Sequence, residues 1–128
     1  MPKDTLQSPK LPRPLNPISQ ATRAAGFVYT AGVLGRGSDG KPLEGMAAQS
    51  RAIIESLKYI MEEAGGTLRD VLRCEVHVLD LSELPLFNEV WKEFFSEEPP
   101  ARCATQCSGL VPGYRVEVTA IAYVGTKS

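Results

Sequence analysis

From Met46 to Ala64, apolar residues stand at positions 46, 53, 57, 60, 61 and 64, the spacing of one face of a helix, and Gly65-Gly66 ends the pattern. Further on the period changes to two. Cys74, Val76 and Val78 alternate with Glu75, His77 and Leu79, so Val71 to Leu81 predicts a strand covered mainly on one side. Just ahead of it, Thr67-Leu-Arg-Asp70 has capping-box spacing with Asp in place of the usual Glu. Helical spacing returns after Ser82, which is expected to open a second helix with Pro85 in its first turn. Its stripe is Leu84, Phe87, Trp91, Phe94 and Phe95, and Pro99-Pro100 closes it. Such aromatic stripes are core rather than ligand platforms.

Upstream, Gln20 to Leu34 predicts two β segments hinged at Gly26, the second rich in β-branched and aromatic residues. Gly35 to Gly40 lacks both a following Lys-Ser/Thr and the GxGxxG spacing, so it is a mobile turn and not a phosphate cradle. Two strands finish the chain, Arg102 to about Leu110 and Tyr114 to about Val124, turned by Val111-Pro112-Gly113. The order β-β-α-β-α-β-β is that of an α+β sheet with two long helices on one face. In the last strand Val116, Val118, Ala120, Ala122 and Val124 form one side. Arg115, Glu117, Thr119, Ile121 and Tyr123 form the other, too apolar for full solvation and too polar for a core. A subunit interface containing pockets satisfies both properties.

At 128 residues the chain is one domain, read as an extended polar and proline-rich arm over residues 1–16 followed by a single domain over 17–128. Its 14 basic and 15 acidic residues are scattered, which leaves no electrostatic footprint for nucleic acid or an anionic membrane. No apolar run approaches a membrane span, and the arm lacks the apolar centre of a signal peptide, so a cytoplasmic protein is expected. Cys74, Cys103 and Cys107 are odd in number and lack CxxC spacing. That argues against a disulfide framework or zinc site and for small buried thiols in a reducing compartment. On one strand Cys103 and Cys107 would share a face about 13 Å apart, too far to bridge. His77, the only histidine, lacks the partners that a metal site or catalytic triad needs.

The chemistry concentrates in Pro100-Ala101-Arg102-Cys103-Ala104-Thr105-Gln106-Cys107. Arg102, held behind two prolines at the mouth of a strand, is an always-charged planar fork suited to bidentate recognition of a small carboxylate. Cys103 points to the opposite face by strand alternation. Glu117, fifteen residues beyond Arg102 on what reads as the neighbouring strand, can position a water and exchange protons, or can be a structural ion-pair partner of Arg102.

Taken in order, Pro17-Ile-Ser-Gln20-Ala, Thr30-Ala-Gly32, the helix containing Gln49, Phe94-Phe95 followed by Pro100-Ala101-Arg102, and Arg115-Val-Glu117-Val-Thr-Ala-Ile-Ala122 resemble the RidA/YjgF reactive-intermediate imine/enamine deaminases from about Pro17 to Val124. The resemblance implies a chorismate-mutase-like fold, a homotrimer and three ligand clefts between subunits. It implies that Arg102 grips the substrate carboxylate, that the backbone around Gly32 faces the ligand and that Glu117 holds a water. Two cleft positions depart from the best-known members, which carry tyrosine where this chain has Ile18 and cysteine where it has Ala104. The implied reaction needs no cofactor and no metal: 2-imino or enamine acids, of the 2-iminobutanoate and 2-iminopropanoate kind, are hydrolysed to 2-keto acids and ammonia. A non-catalytic, regulatory trimer binding small carboxylates is the alternative. The ribonuclease or translation-inhibitor activity reported for some relatives would need a basic patch that is missing here.

Overall fold

The computed structural model describes residues 2–125. Its strands are β1 (Asp4–Leu6), β2 (Ala21–Ala24), β3 (Phe27–Thr30), β4 (Val33–Leu34), β5 (Val71–Val78), β6 (Ala101–Gln106) and β7 (Val116–Tyr123). Its helices are α1 (Met46–Glu63) and α2 (Leu84–Phe94), with 3-10 turns at Leu68–Asp70 and Leu81–Glu83. All strands join one sheet in the order β1-β2-β3-β7-β5-β6, with β4 also paired to β7. Every pair is antiparallel except β5 with β6.

The two helices form as their periodicity requires. Ile53, Leu57, Ile60, Met61 and Ala64 of the predicted stripe are buried, and Gly65 at φ +87° ends α1 in a left-handed turn. Gly66 N–H donates to Met61 and Gly65 N–H to Glu62, a Schellman arrangement that satisfies two of the helix's last carbonyls. Ahead of β5 the capping box forms, with Thr67 N–H donating to the Asp70 carboxylate at 2.8 Å. The start of α2 differs from expectation: Asp80, not Ser82, is the capping side chain, accepting from Ser82 N–H at 2.9 Å, and Ser82 lies inside the 3-10 turn that precedes the helix. Phe87, Trp91 and Phe95 then pack with Ile53, Ile54 and Leu57 against Cys74, Val76, Val78, Val116 and Val118, so both helices cover the same side of the sheet.

The N-terminal arm contributes the edge strand β1, antiparallel to β2, with Leu6 and Ser8 buried. The Gly35–Gly40 turn is closed on itself by the Gly37–Lys41 and Gly40–Gly37 hydrogen bonds, and Gly35 is pressed against α1 where any Cβ would strike Gln49.

The last two strands are not hairpin neighbours. β6 ends at Gln106, runs parallel to β5 and forms the edge, while β7 inserts between β3 and β5. Two physical facts decide this. A strand that follows β5 through a crossover helix returns parallel to it. And of the last two strands only β7 presents a continuous row of small apolar side chains (Val116, Val118, Ala120, Ala122) that a central position buries completely, whereas Cys103, Thr105 and Gln106 of β6 suit an edge. Glu117 is therefore separated from Arg102 by the whole of β5.

Candidate functional site

Glu117 lies on the face of the sheet that the helices leave open, and a bulge brings a glycine to it. Four steps from Tyr29 to Val33 oppose three steps from Ile121 to Val118, so one extra residue stands on the β3–β4 side. The Thr30 hydroxyl fills the gap in the ladder by accepting from Ala120 N–H at 2.9 Å. The bulge turns Gly32 onto the Glu117 side chain, where a Cβ would sit 2.6 Å from the carboxyl carbon. The carboxylate thus rests against bare backbone, an approach that any other residue at 32 would push away. Ile18, exposed just after the arm, lines with Gly32, Leu11, Leu34, Gln20 and Ile60 a cavity of about 160 Å³.

Arg102 sits elsewhere. It is the register partner of Cys74, which in turn pairs with Ala120. Glu117 is thus about 10 Å across the sheet and about 10 Å along it from Arg102. The arginine also faces the helices, while Glu117 faces away from them. Its guanidinium carbon stands 4.8 Å from the Trp91 ring centroid and 5.6 Å from that of Phe87, and one terminal nitrogen donates to Asn88 Oδ1 at 2.7 Å. Burial pulls its pKa down and the nearby Cys74 acts the other way, but a guanidinium stays charged. Among the described residues no carboxylate comes within ion-pair distance of it, so an Arg102–Glu117 salt bridge does not exist within one chain. Ala104, two residues on and on the same face, packs partly buried beside the core.

Cys103 points away from Arg102, as alternation requires, and its sulfur lies 3.4 Å from an Arg73 guanidinium nitrogen. It is exposed and Cys107 is half-buried, so of the three thiols expected to be buried only Cys74 is. Burial pushes the Cys74 thiol up to about 12, which makes it inert. Arg115 falls just outside β7 and donates from Nε to Glu83 at 2.6 Å. On the open face His77 stands opposite Glu117 in the register but engages Thr105 at 3.2 Å and Glu75 at 3.8 Å. No cluster of three or more His, Cys, Asp or Glu is gathered among the described residues, and no helix there is long and apolar enough to cross a membrane.

The structure thus joins Gly32 to Glu117, places Ile18 beside Gly32, and sets Arg102 with Ala104 on the edge strand β6 and the opposite face. Sequence reasoning missed Asn88 and the second use of Trp91, whose ring is both core and shelf for the arginine. The available signal was a lone amide inside an apolar stripe, three residues ahead of a tryptophan.

One sheet with both helices on a single side, an edge arginine without a carboxylate partner among the described residues and a glycine-backed carboxylate on the bare face define a class of small α+β protein. The model of the Endoribonuclease L-PSP family matches residues 8–124. A RutC family protein of Pyrococcus abyssi is 37% identical over 125 residues, 96% of this chain and 98% of its own length. The 3-aminoacrylate deaminase RutC of Acinetobacter baylyi is 35% identical over 126 residues, 97% of this chain and 100% of its own. The crystal structure of RidA from an Antarctic bacterium, Psychrobacter sp., is 38% identical and superposes with a TM-score of 0.90, covering 94% of this chain and 99% of that one. The chain belongs to the RidA/YjgF family. Membership and the 3-aminoacrylate deaminase of Acinetobacter baylyi support imine/enamine deaminase activity at the level of that family.

Proposed function

We propose that this protein is a cofactor-free hydrolytic deaminase of reactive 2-imino and enamine acids. It acts as a homotrimer whose clefts bring Arg102 and Ala104 of one subunit to Gly32, Ile18 and Glu117 of the next. The opposite placement of Arg102 and Glu117 within one chain supports the shared cleft, because two subunits are then needed to bring a carboxylate grip and a water-holding carboxylate to one ligand.

The reaction asks little of the protein. Arg102 pairs with the substrate carboxylate, and Glu117 holds a water toward the iminium carbon. As the C–O bond forms, the C=N π pair moves to nitrogen and the water proton passes to Glu117. Glu117 returns that proton to the amino group of the carbinolamine. In the collapse to the 2-keto acid the C–N bond breaks as the carbonyl forms; Glu117 takes the hydroxyl proton and passes it to the departing ammonia, so that iminium plus water becomes keto acid plus ammonium. An enamine enters the same path once its β-carbon is protonated.

The observation that carries the reading is a half-buried guanidinium on an aromatic shelf with no carboxylate partner among the described residues. The test is an assay generating 2-aminoacrylate in situ and following its disappearance. Wild-type protein is expected to accelerate it, and Arg102→Lys to lose about 30- to 100-fold in kcat/KM, since a point charge replaces a bidentate fork worth about 2–3 kcal/mol. Loss of 2-aminoacrylate at the uncatalysed rate with wild-type protein would overturn the proposal.

A further inference from the structure

We propose that Asn88 and Trp91 are positioning residues for Arg102, and that Asn88 in particular keeps the site selective for a small monoanionic carboxylate by fixing the guanidinium with a neutral acceptor. This rests on the carboxylate-binding reading above and extends it to residues that do not touch substrate.

Asn88 and Trp91 are three apart on α2 and therefore project from one side of it, toward the β6 edge. The Trp91 ring, 4.8 Å from the guanidinium carbon, sets the plane of the fork, and Phe87 at 5.6 Å supports it. A plane alone leaves the fork free to turn within itself. The 2.7 Å hydrogen bond to Asn88 Oδ1 removes that freedom by engaging one terminal nitrogen. Nε and the other terminal nitrogen have no hydrogen bond to any described residue, so the remaining donors stay available. What matters is the charge of the acceptor. An aspartate at 88 would have nearly the same shape and would bind Arg102 more tightly, but it would neutralise the cation and repel an incoming carboxylate. An arginine serving only the fold would be better held by that aspartate. A neutral amide fits an arginine whose charge is reserved for something else.

The two roles predict opposite orders for two substitutions. If Asn88 positions Arg102 for an anionic ligand, Asn88→Ala loses one charge-assisted hydrogen bond and weakens binding about tenfold, while the isosteric Asn88→Asp weakens it about 100-fold with an unchanged or raised melting temperature. If Asn88 is merely structural, Asn88→Asp is the milder change. The full-length proteins would be titrated calorimetrically with 2-oxobutanoate, a keto acid of the product class, and assayed with 2-aminoacrylate. The loss in Asn88→Asp is expected in KM more than in kcat. For Trp91, the ring-retaining Trp91→Phe is expected to keep most affinity and Trp91→Leu to lose it. Wild-type activity accompanied by an Asn88→Asp variant that binds as well as Asn88→Ala would overturn this inference and leave the deaminase reading intact. Wild-type protein that neither binds 2-oxobutanoate nor consumes 2-aminoacrylate would overturn both.

Discussion

Gly32 shows how a single missing side chain shapes a site. Its backbone dihedrals are ordinary, so its value is spatial: a methyl group there would occupy the position of the Glu117 carboxylate. Gly32→Ala should therefore fold normally, because the displaced group is the free end of a side chain, yet misplace the water that Glu117 is proposed to hold. We expect kcat to fall at least about tenfold with little change in melting temperature, measured by the 2-aminoacrylate assay beside a thermal melt. A variant with wild-type kcat would remove Glu117 from the chemistry. Arg102, Glu117 and Gly32 were all legible as residues, because their chemical types and motif spacing stand out. Asn88 was not, since an amide in a helix usually means nothing until the arginine that uses it has been placed.

The elements formed largely as their patterns predict, and the exceptions are informative. Gln49 is almost fully buried on α1 and spans three segments: Nε2 donates to the carbonyls of Leu43 at 2.8 Å and Gly113 at 3.0 Å, and Oε1 accepts from Arg115 N–H at 2.8 Å. It ties the helix to the turn that launches β7, and so to the position of Glu117. Gln49→Ala leaves two carbonyls and one N–H without their partner and should cost about 3 kcal/mol, read from urea unfolding midpoints. A change below about 1 kcal/mol would mean that water replaces the amide at no cost. The β3–β4 bulge belongs to the same scale. The alternation through Phe27-Val-Tyr-Thr-Ala-Gly-Val-Leu34 reads as one strand, and only pairing with β7 reveals the extra residue that presents Gly32.

Across the whole molecule, the helix-free face of the sheet remains to be accounted for. Phe27 and Tyr123 stack edge to face at 4.9 Å between centroids, and with Tyr29 and Ile121 they form an apolar area on the face that also bears Glu75, His77 and Glu117. A mixed face of this kind suits an interface between copies of the chain, which the proposed trimer would cover. Light scattering is expected to return three times the 13.9 kDa chain mass at micromolar concentration. Tyr29→Glu, which places a charge in the apolar area, should yield monomers and abolish deaminase activity together. Active monomers would refute the shared cleft.

Local pattern determined much here. Helix and strand identities, the stop at Gly65-Gly66, the capping box at Thr67 and the two-sided character of β7 all follow from side chains interacting with their own segment of backbone, over distances the linear order already specifies. Pairing across the sheet was decided otherwise. Whether β7 lies beside β6 or between β3 and β5 depends on which row of side chains gains most from complete burial and on the parallel return that a crossover helix imposes. Both are properties of the assembled core. That choice set Arg102 on the edge strand and Glu117 on a central one, on opposite faces of the sheet, and so removed the structural ion pair between them that their nearness in sequence allowed.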